Sequence, residues 1–144
     1  MSFFDYRDAV YDYVARRLMT DIPGINVGSM LEPEPASFPA CFAYEIGNRR
    51  MTQYVTTGYT DEQCESTFEV QVVSNALNGA KSEADAIMDA ADAAMNDCGY
   101  IRFYRSPVDN IDRRVYRVVA RYSRVIAGSD VIPIFGQGDT NNGE

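Results

Sequence analysis

Hydrophobic and polar residues alternate along residues 113–127, the last regular stretch of the chain. Successive side chains of a β-strand point to opposite faces, so this pattern predicts a strand whose two faces differ. The first face is apolar with tyrosine hydroxyls and suits a core; it carries Tyr116, Val118, Ala120, Tyr122 and Ile126. The second face alternates arginine with valine; it carries Arg113, Val115, Arg117, Val119, Arg121, Ser123 and Val125. We predict that the second face meets a partner.

Apolar residues recur with the period of an α-helix over residues 3–20. They fall in one arc of about 120°, as in a helix that packs one face on a core, and most of the charged residues fall opposite. Tyr6 and Tyr13 flank the arc, so we expect them to extend a contact surface. The helix should end at Pro23 and Gly24, because proline cannot continue it and glycine suits the turn.

A second helix is predicted over residues 82–97. Ser82 is the expected N-cap, and acidic residues follow in the first turn, where the helix dipole favours negative charge. Gly99 is the expected stop at the C-terminal end. The apolar stripe of this helix is small and methionine-rich, which suits close packing on a sheet; it comprises Ala84, Ile87, Met88, Ala91, Ala94 and Met95.

Shorter strands are predicted over residues 25–30, 41–46, 65–74 and 100–105. The order is then helix, two or three strands, helix and two strands, with mostly short connections. This order indicates an α+β domain, mainly an antiparallel β-sheet of four to five strands with two helices packed on it. We assign one domain to residues 1–128 and an extended C-terminal tail to residues 129–144, whose short apolar patch is a candidate for docking on a neighbouring subunit.

Residues 47–63 form a long connection with no clear period, and connections of this length in compact domains are often functional. We predict a protruding hairpin around Gly58, with Arg49 and Arg50 at its root and Tyr54 and Tyr59 along it. The other interpretation is a mobile loop without a role.

Charge is distributed unevenly along the chain, whose net charge is −8. Residues 1–99 hold 16 acidic and 6 basic residues, residues 100–128 hold 7 basic and 2 acidic residues, and the rest holds 3 acidic residues. This asymmetry favours self-complementary assembly over binding to an acidic polymer. Twelve of the 13 basic residues are arginine, the cation favoured at desolvated protein interfaces, although codon bias of the genome would have the same effect.

Asp85, Asp89 and Asp92 share one face of the second predicted helix. Three interpretations are open for this acidic row. Such a row is most often simply a solvent-exposed helix face. It could instead bind a hard cation, although the glycine-containing loop typical of such cation sites is missing. It could also meet the arginine row of Arg113, Arg117 and Arg121 in an adjacent copy, where such pairs would set register.

Several classes of function lack their usual residues. The chain has no histidine, and its three cysteines, Cys41, Cys64 and Cys98, form no CxxC pair, so a zinc site, a disulfide framework and His-dependent catalysis are disfavoured and buried reduced thiols are expected. No nucleotide-binding or hydrolase motif is present, and the overall acidity disfavours specific nucleic-acid binding. No membrane span or signal peptide is recognised, so we expect synthesis in the cytoplasm.

Several sequence segments follow one another in a characteristic order. After the aromatic and acidic first helix come Pro35-Ala36-Ser37-Phe38-Pro39, a strand with Glu45, Phe68-Glu69-Val70-Gln71-Val72-Val73-Ser74-Asn75, Lys81-Ser82-Glu83-Ala84-Asp85-Ala86-Ile87-Met88 and Tyr116-Arg117-Val118-Val119-Ala120-Arg121-Tyr122. In their order and spacing these segments resemble the tail terminator proteins, also called minor capsid or tail completion proteins, of long-tailed bacteriophages. The resemblance covers roughly residues 1–126.

The resemblance implies a structural virion protein with no catalytic site and no cofactor. Proteins of this family form a hexameric ring that caps the tail tube and presents the joining surface to the neck of the head. The implied partners are further copies of the chain, the major tail tube protein, a head–tail stopper or adaptor protein and the passing genomic DNA, which an acidic lumen would not hold. The implied location is the neck of the virion.

Three alternatives stay open beside the tail terminator. A stopper or adaptor of the head–tail connector has a similar size and also assembles into rings. A small acidic enzyme that binds a metal or ligand through Asp85, Asp89 and Asp92 belongs to a different class, as does a monomeric regulatory module.

Overall fold

The computed structural model describes residues 6–50, 63–109 and 114–127, which form an α+β fold of two helices and a five-stranded sheet. The predicted fold class is therefore confirmed, while the predicted division at residue 128 stays a prediction because residues 128–144 lie outside the described residues. Neither described helix has the length and apolar composition needed to cross a membrane. The elements are α1 (Tyr6–Asp21), β1 (Asn26–Gly28), β2 (Ala40–Arg50), β3 (Gln63–Ser74), α2 (Ala80–Asp97), β4 (Ile101–Val108) and β5 (Tyr116–Ala127).

The strands lie in the order β1-β2-β3-β5-β4, and every neighbouring pair except the first is antiparallel. β3 and β5 form the longest pairing, which runs from Gln63 opposite Ala127 to Ser74 opposite Tyr116. β1 is parallel to β2. Residues 29–39 connect them and lead the chain back to the end of the sheet at which β1 starts, so that β2 runs in the same direction as β1. β1 and β4 are the two edges of the sheet.

Both helices pack on one face of the sheet and enclose the main core. The predicted stripe of α2 is confirmed, since all six of its residues are buried. The predicted core face of β5 is confirmed as well, with Val118, Ala120, Tyr122 and Ile126 buried against the helices.

Two expectations for the helices were wrong. Tyr6 does not extend an outer contact surface: it is 1% exposed, and its hydroxyl donates a hydrogen bond to Glu45 of β2 inside the core. Ser82 is not an N-cap, because α2 begins earlier and its cap is Gly79, whose φ of 80° is the left-handed conformation that glycine favours. The predicted stop at Gly99 is confirmed by its φ of 85° just after the helix.

Residues 29–39 cover part of the sheet face that points away from the helices. Phe38 in this connection packs against a small second core of Ala40, Phe42 and Val73. As a result β3 is buried on both faces from Phe68 to Ser74. The arginine face of β5 lies on this side of the sheet, where it shares space with the connection.

Candidate assembly surfaces

Arg117 of the predicted arginine row is held inside its own chain. The residue is 8% exposed, and its guanidinium donates from Nη1 to Oε1 of Gln71 at 2.7 Å and from Nη2 to the carbonyl oxygen of Pro33 at 3.3 Å. Burial lowers the pKa of this guanidinium. Through these hydrogen bonds Arg117 of β5 links residues 29–39 to β3 and β5.

Arg121 is the described member of the row that stays accessible, with its side chain 46% exposed. Its Nε donates to Oε1 of Glu69 at 3.0 Å, and its guanidinium carbon lies 5.3 Å from the centre of the Tyr104 ring. Arg113, the third predicted member, lies outside the described residues. The row is thus one buried and one half-exposed cation, rather than a uniform basic surface, across the part of β5 that the structure describes.

Glu69 is the centre of a hydrogen-bonded group on the same face. It accepts from the hydroxyl of Tyr44, from Nε2 of Gln71 at 3.0 Å and from Arg121. Burial alone would raise the pKa of Glu69, but the three donors outweigh burial and leave its pKa below the ordinary value. The carboxylate therefore stays ionised within a mostly buried site.

The acidic row of α2 is paired with arginines of the edge strand β4. Arg105 binds Oδ1 of Asp89 at 2.8 Å and Oδ1 of Asp85 at 3.4 Å, and Arg102 lies 3.4 Å from Oδ1 of Asp92. The hydrogen bond that Arg105 donates to Asp89 is the main cause that raises the pKa of Arg105 above its ordinary value, against the effect of burial. Asp89 keeps 71% of its side chain exposed, so it remains open to a second partner.

Sequence reasoning missed Arg102 and Arg105 as the partners of α2. In a regular strand, positions three residues apart point to opposite faces. A bulge between Arg102 and Tyr104 adds one residue, so that Arg102 stands opposite Tyr122 and Arg105 opposite Ala120, both on the helix side. Nothing in the local pattern indicates such a bulge.

The structure does not bring the predicted acidic and arginine rows together within one chain. The acidic row lies on the helices' side of the sheet, and Arg117 and Arg121 lie on the other. Neither finding tests a contact between copies, which stays a prediction.

The root of the predicted hairpin is formed by β2 and β3. Arg49 pairs with Glu65 across the strands and binds its Oε1 at 2.9 Å, and Arg50 stands opposite Cys64. Tyr54, Tyr59 and the rest of residues 51–62 lie outside the described residues. At this side of the sheet β2 runs to Arg50, past the predicted end at residue 46, and β3 begins at Gln63, just before the predicted start at residue 65.

The edge strand β4 exposes apolar side chains that sequence reasoning did not single out. Ile101 is 71% exposed and Phe103, at the bulge, is 59% exposed. An edge strand with exposed large apolar groups is a surface on which another chain can pair or pack. In the sequence Ile101 and Phe103 alternate with polar neighbours, a pattern that indicates a strand. The pattern does not indicate which face of the strand the helices cover.

No metal-binding cluster of side chains occurs in residues 6–50, 63–109 and 114–127. Within these residues no three His, Cys, Asp or Glu side chains are placed to hold a metal ion, and the acidic row of α2 is occupied by arginines. The expectation of buried reduced thiols is confirmed for Cys41, Cys64 and Cys98. Burial raises the pKa of Cys41 to about 12.

Comparison with solved structures finds this fold in a chain of a virion particle. A chain in the virion of a native gene transfer agent particle superposes with a TM-score of 0.52 at 14% sequence identity, over 88% of this chain and 100% of that chain. No protein-family model matches the sequence, and no curated protein matches it either. At this identity the likeness shows a shared fold.

Proposed function

We propose that this protein is a structural, non-enzymatic component of a phage-like virion, and that it forms a ring, with six copies as the expected number, at the end of the tail tube. The observation that carries the proposal is the shared fold with a chain of the gene transfer agent virion, which is matched over its whole length. The order of the sequence motifs that resemble tail terminators supports the same function independently.

The distribution of charged and apolar surface supports assembly with copies of itself. A ring requires a heterologous interface, in which one patch of a subunit meets a different patch of the next. Asp89 on α2 and Arg121 on the opposite face of the sheet are exposed groups of opposite charge on different sides of the molecule. Together with the apolar edge of β4, they are the groups we propose for the contact between neighbours, along with Asp85, Asp92 and Arg113 of the two predicted rows.

The remaining partners follow from the proposed position in the virion. The hairpin rooted at Arg49 and Arg50 would reach the tail tube protein or the lumen, and the other rim of the ring would meet a stopper or adaptor protein of the neck. Genomic DNA would pass without specific binding, because an acidic protein repels backbone phosphates. The protein would be made in the host cytoplasm and incorporated into the virion there.

The test is the state of the purified full chain and its effect on tail tubes. Native mass spectrometry and negative-stain electron microscopy should show a closed ring, and polymerised tail-tube protein from the same genome should carry one ring at one end. Rings that bind the neck proteins but never a tube would point to a stopper or adaptor instead. A stable monomer that binds neither would contradict the proposal.

A further inference from the structure

A groove of about 760 Å³ opens on the sheet face that points away from the helices. Its walls are the connection after β1, the turn before α2 and the ends of β4 and β5; they include Leu31, Pro33, Phe38, Leu77, Val108 and Val115. Leu77 is 98% exposed and Leu31 and Val108 are each about two-fifths exposed. The groove has the size at which pockets hold small molecules or short peptide segments.

The floor of the groove offers little to orient a polar ligand. Gln71 and Arg117 lie there, but they are hydrogen-bonded to each other, and Arg117 also binds the carbonyl oxygen of Pro33. Among the described residues no buried side-chain nitrogen or oxygen lacks a partner. The groove also has exposed polar residues in its lining, Glu34, Asn75, Asp109 and Arg114, but most of the surface it presents is apolar, which an apolar segment would cover with a gain in free energy.

The chain contains one such segment after β5. Residues 131–135 read Val-Ile-Pro-Ile-Phe and are the apolar run within residues 128–144. Pro133 favours an extended backbone and removes one amide donor, so the segment suits a groove at whose floor the polar groups of Gln71 and Arg117 are already paired.

This segment cannot lie in the groove of its own chain. Arg117, at the groove, and Ala127, where β5 ends, are ten residues apart, which is about 33 Å along a strand. Even fully extended, the eight residues from Ala127 to Phe135 reach at most about 29 Å, and the first apolar residue, Val131, reaches about 14 Å. If the segment binds such a groove, the groove therefore belongs to a different molecule.

We propose that residues 131–135 of one copy bind the groove of the next copy. The groove lies near the start of β5, whereas the segment follows the end of β5 in the sequence, so such a contact joins two different parts of the chain and adds to the head-to-tail interface proposed for the ring. The inference rests on the proposed self-assembly for the identity of the neighbour, but it does not require a virion or a tail tube.

Disulfide trapping in the full chain tests the contact. A Leu77→Cys chain is mixed with a size-tagged Ile134→Cys chain under mild oxidation, and mixed disulfide dimers are followed on non-reducing gels. The natural cysteines are buried, and Leu77 is almost fully exposed, so the substitution should not disturb the fold. The matched control is a Ser82→Cys chain, which carries an exposed thiol on α2, on the other side of the sheet.

The Leu77→Cys pair should form the mixed disulfide roughly tenfold faster than the control pair, or more, because binding raises the local thiol concentration. Equal rates of disulfide formation for both pairs would overturn the contact and would indicate that a different protein binds the groove. A Leu77→Cys/Ile134→Cys double variant that closes only within one chain would overturn it too. If the chain forms rings but the cross-link does not form, this contact is rejected and the proposed ring is not. If the cross-link forms but the chain does not form rings, the proposed ring is rejected.

Discussion

Nη1 of Arg117 on β5 donates a hydrogen bond of 2.7 Å to Oε1 of Gln71 on β3. The two residues lie on the sheet face away from the helices, and both are less than a tenth exposed. The same guanidinium holds Pro33, so one buried cation connects two central strands to the long return connection. A residue that the sequence suggests as a contact for a neighbour is thereby part of the subunit's own stability.

Arg117→Ala should destabilise the subunit strongly. The substitution leaves Gln71 and the Pro33 carbonyl without their donor in a mostly buried site, so we expect a loss of about 2 kcal/mol or more in the free energy of unfolding. The measurement is urea unfolding, with comparison of midpoints at unchanged slope. Arg102→Ala, which removes a half-exposed arginine at 3.4 Å from Asp92, should cost about 0–1 kcal/mol. Equal losses in the two variants would contradict the structural role of Arg117.

Glu69 should make part of the stability depend on pH. Folding lowers the pKa of Glu69 below its ordinary value of 4.5. The carboxylate therefore contributes its full share to the free energy of unfolding above about pH 4.5, and this share is lost as the pH falls through the lower pKa of the folded state. Glu69→Gln should be less stable than the unmodified chain at pH 7, and the gap should close on acidification. Thermal unfolding of both chains from pH 7 to pH 3 measures the gap, and a gap independent of pH would contradict the assignment.

The sequence predicted the features that depend on local periodicity. The stripe of α2 and the core face of β5 follow from periods of 3.6 and 2, which hold within each element. It did not predict the partner of Arg117, because Pro33 is 84 positions away and reaches it through the return connection. It also did not predict the bulge at Phe103, which reverses the facing of every later residue in β4.

The three cysteines should be unreactive until the protein unfolds. The thiolate is the reacting form, and burial raises the pKa of Cys41 and Cys98 to about 12, so about one part in ten thousand is ionised at pH 8 even before access is considered. Ellman's reagent should detect no fast thiol in the native chain and three in denaturant. A Ser82→Cys chain should show one fast thiol. Fast reaction of the unmodified native chain would contradict the buried positions.

Asp89→Lys should weaken assembly more than it affects the subunit. Asp89 is 71% exposed, so loss of its pair with Arg105 should cost about 0–1 kcal/mol of subunit stability. If Asp89 also faces Arg121 of the neighbour, reversing its charge replaces attraction with repulsion there, and the ring should dissociate at about tenfold higher concentration. Analytical ultracentrifugation at low and high salt measures this. Asp12→Lys, the same charge change on an exposed site of α1, is the control, and an equal effect there would remove Asp89 from the interface.

Phe103→Asp should separate assembly from folding at the edge of the sheet. The Phe103 side chain is 59% exposed at the bulge of β4, so replacing it removes little buried surface from the subunit, and the melting temperature at concentrations where the chain is monomeric should change little. In a ring that buries this edge, an aspartate would carry an unpaired charge into an apolar contact, and rings should be lost in native mass spectra. Leu77→Asp places the same charge in the groove, and it should likewise remove rings if the groove is part of the subunit contact. Rings that persist in the Phe103→Asp chain would place the subunit contact elsewhere on the molecule, whereas a chain that fails to fold would show that Phe103 packs within the subunit.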